Sequence, residues 1–315
     1  MKTALFSVLA LVAFAANSVL CRLALGRHLI DAASFTSVRL LAGAAMLLLL
    51  RRVLAVSSAS DSSSWRRRGA LAAFRPALRA EGGAAPVPEE RAPYAGNWPA
   101  AAMLFAYAAA FSFAYVTLPT ATGALLLFGA VQLTMLLHTL VKGHRLHALE
   151  WTGLVLAFTG FLYLVLPGIT APSFAGFALM TIAGAAWGFY TLLGRSSQNP
   201  LADTAGNFLR TLPMLGLLFP FAWLGGHASA AGILWAVLSG AVTSGLGYTV
   251  WYFALRNLTA TRAAAMQLAV PVLAAFGGVA FLGESITLRM TLAAALVLGG
   301  IALVIRARTG AVRRI

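Results

Sequence analysis

The sequence predicts an all-α integral membrane protein: ten transmembrane helices arranged as two inverted five-helix repeats. Three observations carry that prediction. Of 315 residues, 60% are hydrophobic and 10% charged, against about 25% charged in an ordinary soluble domain. Ten apolar runs follow one another, each near the roughly 20 residues that cross a bilayer core as a helix. The chain also aligns with itself in order, at a near-constant offset.

The runs are residues 3–25, 33–50, 98–118, 120–141, 149–166, 173–193, 204–224, 231–254, 259–282 and 288–306. The first, with Lys2 ahead of an apolar core, resembles a secretory signal peptide. Leu20 before Cys21 fits a lipoprotein cleavage box poorly, and the repeat needs this segment, so it reads as a retained helix. Cys21 is the only cysteine, which excludes an intrachain disulfide and a cysteine metal centre. The second run carries Arg39 about 9 Å inside its start, at about 1.5 Å per residue.

Residues 53–97 interrupt the pattern with a serine run, Arg66 to Arg68 and a Gly/Ala/Pro/Glu-rich tract. Such a stretch lacks the apolar surface for a packed core and reads as a loop insertion. Within it, Leu71, Phe74 and Leu78 fall at helical spacing, so Trp65 to Leu78 reads either as a short interfacial helix or as plain linker. The later connections are short: Pro119 sits in the turn between the third and fourth runs, Pro167-Gly168 ends the fifth, and Asn199-Pro200 separates the sixth from the seventh.

Net charge is +15, a value that in a soluble protein points to nucleic acid. Here the basic residues lie between the runs. With the N-terminus cytoplasmic, the inner segments hold Lys2, Arg51, Arg52, Arg66 to Arg68, Lys142, Arg145, Arg195, Arg256, Arg262, Arg306 and Arg308, and the outer ones little beyond Arg27 and Arg289. That is the positive-inside bias. Both termini are therefore expected in the cytoplasm, with no nucleic-acid partner.

The repeat rests on four matches. Arg39 pairs with Arg210 at an offset of 171, Thr120-Ala121-Thr122 with Thr259-Ala260-Thr261 at 139, and Gly143 with Gly283 and Gly160 with Gly300 at 140. The drop in offset falls in the long loop, so 53–97 is an insertion into the first copy alone. This divides the chain into a first repeat, 1–168, a second, 173–306, and a basic cytoplasmic tail, 307–315. Five spans per copy is an odd number, so the copies run in opposite directions through the membrane. Inverted repeats build two exchangeable faces around one midplane site in secondary transporters.

Ten spans in two copies, an Arg in spans two and seven, and Pro271 followed by Gly283-Glu284 together resemble the EamA-type permeases of the drug/metabolite transporter superfamily. The resemblance covers the chain outside 53–97. It implies a bacterial inner-membrane permease that exports amino acids or other small metabolites by alternating access, driven by the proton or substrate gradient, without a cofactor. A homodimer is compatible with it. The first copy departs from the pattern: Gln132 stands where the ninth span has Pro271, and His144 where the second hairpin has Glu284.

Polar groups inside spans are costly and so become candidates. Substrate-binding candidates are Asn17, Arg39, Gln132, Trp187, Tyr190, Arg210, Gln267 and Pro271; gating or hinge candidates are Gly283 and Glu284. Arg39 and Arg210 either steer an anion or snorkel to carbonyls and headgroups. Gln267 lies one turn before Pro271, whose ring crowds the Gln267 carbonyl and leaves it a free acceptor. Gly184 and Gly188 form a GxxxG, a close-packing signal. Tyr248, Trp251 and Tyr252 are expected in an interfacial aromatic belt, and Glu284 is expected to cap the tenth span with Ser285. His138, His144 and His147 lack a close carboxylate or cysteine apart from Glu150, so no metal centre is expected, and nucleotide-binding or hydrolase motifs are absent from the sequence. A membrane-embedded lipid-processing enzyme would need clustered acidic or histidine side chains, whereas the eight acidic residues are scattered. A non-transporting scaffold acting through the Arg-rich loop is the other alternative.

Overall fold

The structure is a computed structural model that describes residues 2–59, 95–143, 147–166, 172–195, 197–256, 258 and 260–312. The expected interfacial helix over 65–78, and His144 with Arg145, lie outside these residues.

Among the described residues there is no β-strand; one isolated antiparallel bridge joins Ile30 and Ala228. The helices are α1 (Lys2–Leu25), α2 (Ala32–Ala59), α3 (Trp98–Tyr115), α4 (Thr120–Val141), α5 (Ala148–Val165) and α6 (Phe174–Gly194). Then come α7 (Pro200–Gly225), α8 (Ala230–Leu255), α9 (Ala260–Gln267 resuming as Ala269–Leu282) and α10 (Leu288–Val312). Nine of them are long and apolar enough to cross a membrane, and α5 contributes a shorter apolar stretch, Ala148–Leu164. The chain is a multi-pass membrane protein.

Polar caps mark where the apolar runs begin, because the first turn of a helix leaves backbone N–H groups without partners. Asn97 Oδ1 accepts from Ala100 N, Ser173 Oγ from Gly176 N, Asn199 Oδ1 from Ala202 N, and Thr287 Oγ1 from Met290 N. His147 and Glu150 form a capping box at the start of α5. The second helix runs to Ala59, past the expected start of the loop at 53, because the apolar stretch Val53-Leu54-Ala55-Val56 continues it.

Three helices of the second half are irregular, one of them at the Pro271 the sequence marks as disturbing its span. A 3-10 stretch, Pro213–Leu218, interrupts α7; a π-helix, Ser239–Leu246, widens α8; and α9 breaks at Leu268, ahead of Pro271. Proline removes an N–H donor and crowds the preceding turn, which accounts for two of the three.

Helix α5 packs along α10. Helix α3 packs on α6 as α8 packs on α1, α4 on α6 as α9 on α1, and α2 on α8 as α7 on α3. Exchanging each helix for the one five places on carries every one of these pairings into another of the set, a pattern compatible with two related halves. Gly184 sits against Ala130 and the Leu127 carbonyl, so the GxxxG face of α6 is the α4 contact. Large apolar side chains such as Phe158, Phe174, Trp223, Leu224 and Phe276 point outward, as lipid-facing surface requires.

Candidate functional site

Arg39 lies at the centre of the bundle, 1% exposed. Its Nε donates to Ser244 Oγ at 3.2 Å, and Nη2 donates to Tyr107 Oη at 3.1 Å and Tyr248 Oη at 2.9 Å. The guanidinium also lies 5.2 Å from the Tyr107 ring centre and 5.0 Å from that of Phe111, contacts worth roughly 0.5–2 kcal/mol each. Nη1 is buried with no hydrogen-bond partner among the described residues. The one ion pair among the described residues is elsewhere, between Arg22 and Glu284. A buried cation held by three neutral hydroxyls keeps most of its desolvation cost, several kcal/mol per ion.

The π-helix of α8 makes this arrangement. Its extra residue per turn brings Ser239, Thr243 and Ser244 toward α1 and α2, a use to which such bulges are often put. Ser239 Oγ and Thr243 Oγ1 donate to Asn17 Oδ1 at 2.7 and 3.0 Å, and Asn17 Nδ2 donates to Tyr107 Oη at 3.3 Å. Gly240 lets α2 approach: a Cβ there would meet the Arg39 backbone carbonyl. Beside the polar set is a small cavity of about 10 Å³, lined by Phe14, Asn17, Tyr107, Phe111, Leu127, Phe128, Trp187 and Tyr248. Trp187 packs against Tyr107, Tyr248 and Tyr190 at ring separations of 4.9, 4.6 and 5.4 Å.

Asn17, Arg39, Trp187 and Tyr190 are therefore brought together. Arg210 is not: its Nη1 donates to the Ala95 and Gly206 carbonyls at 3.0 Å each, which is the anchoring alternative. Arg39 does not snorkel, because tyrosines of α3 and α8 enclose it. The aromatic-belt expectation fails for the same reason: Tyr248, Trp251 and Tyr252 are 1%, 0% and 4% exposed, so they fill the bundle. Tyr107 and the π-helix hydroxyls were missed from sequence; small polar residues at 239–244 in an otherwise apolar run were the available signal.

Gln132 and Gln267 form a second polar group. Gln132 Nε2 donates to Gln267 Oε1 and to the Ala264 carbonyl, both at 3.3 Å, while Gln267 Nε2 is buried without a partner. Pro271 sits in the second segment of α9, one turn beyond Gln267, and is buried. An open cleft with a cavity volume of about 90 Å³ lies next to Gln132, and Arg195 also lines it.

At the other end of the bundle the helices are tied together. Gly283 takes φ 66°, a left-handed turn that glycine adopts without a Cβ clash, and this aims Glu284 back at α4. Thr120 N donates to Glu284 Oε2 at 2.8 Å and Oε1 at 3.1 Å. Arg22 Nε donates to Glu284 Oε1 at 3.3 Å, and Arg22 Nη1 donates to the Tyr115 and Val116 carbonyls at 3.1 and 3.0 Å. Glu284 thus caps α4 rather than the tenth span, which Thr287 caps. The carboxylate is favoured there because four helix-start N–H groups of α4 carry partial positive charge.

Comparison with known proteins now bears on this architecture. A profile of the EamA-like transporter family matches residues 174–306. An uncharacterized protein of Pseudomonas aeruginosa is 48% identical over 99% of this chain and 98% of its own length. An uncharacterized transporter of Archaeoglobus fulgidus is 31% identical over 55% of this chain and 63% of its own. The chain belongs to the EamA-like transporter family. It is a membrane transporter in a lipid environment that handles a small molecule. A solved crystal structure, 17% identical, overlays on it with a TM-score of 0.56 across 98% of each chain, which supports the fold alone.

Proposed function

We propose that this member of the family is a secondary-active transporter that exports a small carboxylate-bearing metabolite, such as an amino acid, across a bacterial inner membrane by alternating access. The observation that carries the reading is Arg39: a buried guanidinium with an unbonded Nη1, no carboxylate paired with it among the described residues, and an aromatic cavity beside it. An arriving carboxylate supplies the missing counter-charge, and charge-assisted bonds to guanidinium are among the stronger ones available. Phe14, Trp187 and Tyr248 then hold an apolar or aromatic body.

Alternating access is supported by the difference between the two ends. The Glu284 end is closed by cross-helix bonds, and the Arg195 end carries the open cleft. Two halves that exchange such arrangements need only a small energy gap between the inward and outward states. The positive-inside bias makes the Arg195 end cytoplasmic, so a substrate enters from the cytoplasm and leaves past Glu284. A proton or the substrate's own gradient drives exchange; flux with and without an imposed pH gradient separates the two.

The test starts with metabolite profiles of cells overexpressing or lacking the protein, followed by flux of the accumulated carboxylate in proteoliposomes. Arg39→Gln is expected to lower flux at least tenfold at unchanged protein abundance, consistent with the roughly 1.5–3 kcal/mol of a hydrogen bond to a charged group. Unchanged flux in that variant, or equal flux of the substrate and its neutral amide, would overturn the reading.

A further inference from the structure

We propose that the cleft at the Arg195 end is a binding site in its own right for an amphipathic anion, with its apolar body between α4, α5, α6 and α10 and its charged head at Arg195. The proposal goes beyond transport through the Arg39 pocket, because binding here is expected whichever solute that pocket carries.

The cleft is a narrow groove open to its surroundings, with a cavity volume of about 90 Å³. Its walls are apolar side chains such as Leu136, Leu154, Ala157, Leu192 and Ile301, and the polar groups lining it are Gln132 and Arg195. Gln132 is 7% exposed and its amide nitrogen is already engaged by α9. The floor therefore offers little to a polar body, and apolar surface of this kind is favourably covered by hydrocarbon.

The mouth has the opposite character. Arg195, just past the end of α6, is exposed, and no ion pair to it is found among the described residues. Lys142, past the end of α4 at the same end of the bundle, is exposed but is not among the residues that line the cleft. Among the described residues, the acidic side chains at this end are committed: Glu150 accepts from His147 N at 2.9 Å, and Asp203 accepts from Ser197 Oγ. The opposite end shows what a carboxylate does in a comparable place, where Glu284 joins Arg22 to the start of α4. In the sequence alignment of the two halves, at an offset of 140, His144 stands opposite Glu284, so the first half carries no carboxylate at that position. A cationic rim above hydrocarbon walls selects a molecule with an anionic head and an apolar tail, and rejects the cation of the same shape.

The experiment uses the purified full chain in phosphatidylcholine nanodiscs, with decanoate as the probe and decyltrimethylammonium as the charge-reversed control. Decanoate is expected to bind saturably and the ammonium at least tenfold more weakly. Arg195→Gln should weaken decanoate about tenfold. Leu154→Trp, which fills the cleft, should abolish binding; Leu192→Trp is the second filling variant in case the first fails to fold. Arg39→Gln, which tests the transport reading, should leave this binding in place, so the two can fail separately. Adding phosphatidylglycerol to the nanodiscs distinguishes the natural source: displacement of decanoate identifies a leaflet lipid, and no displacement a soluble anion. Equal binding of the ammonium, or decanoate binding that survives both Arg195→Gln and a folded filling variant, overturns the proposal.

Discussion

At the scale of single residues, the organising fact is a cation without a carboxylate. Arg39 is tolerable in the bundle because Tyr107, Tyr248 and Ser244 accept from it and two rings lie against it. Tyr248→Phe removes one of those acceptors while keeping the ring that packs on Trp187. It should destabilise the protein by about 1.5–3 kcal/mol, the range for hydrogen bonds to charged groups. The check is a lowered Tm in detergent with an unchanged elution volume; an unaltered Tm would mean that Tyr248 contributes packing alone. That Arg39 is a charge inside the span was legible from sequence as an arginine in an apolar run, and anchoring to carbonyls was one of the two readings of Arg210. That one of those carbonyls is Ala95 was not legible, since it comes from a segment 115 residues away.

At the scale of elements, irregular helices do the positioning. The π-helix in α8 delivers three hydroxyls to α1 and α2, and the break in α9 at Leu268 sits between the Gln132–Gln267 contact and Pro271. Pro271 made the second irregularity readable. The first had no comparable marker, because Gly, Ser and Thr in a span are equally consistent with a regular helix. The Glu284 junction belongs to this scale too, since one carboxylate joins α9, α4 and α1. Glu284→Ala should lower stability by about 1.5–3 kcal/mol. It should also raise labelling of the native Cys21 by an impermeant maleimide, since that thiol is 0% exposed one residue before Arg22. Labelling as slow as in the wild type would show that the junction is not a closure.

At the scale of the whole molecule, the expected cytoplasmic termini predict that a C-terminal alkaline phosphatase fusion is inactive and a fluorescent-protein fusion bright; the reverse would invert the entry and exit sides. Removal of residues 60–94 should leave transport largely intact, because α2 is complete before that segment and Asn97 caps α3 after it. Loss of flux in a stably inserted deletion would favour the scaffold alternative. The helix pairings that exchange under a five-place shift are compatible with the duplication that the sequence offsets lead one to expect.

By itself, the sequence determined the solvent and the secondary structure: 60% hydrophobic composition demands a bilayer, apolar run lengths demand helices, and the repeated offsets set the expectation of two copies. Those properties are local or periodic, so they survive without knowing which helices touch. The tertiary structure alone decided which polar side chains share a space. Asn17, Arg39, Tyr107, Ser239 and Tyr248 come from α1, α2, α3 and α8, and the cost of burying a polar group is offset only by partners that packing brings within about 3 Å.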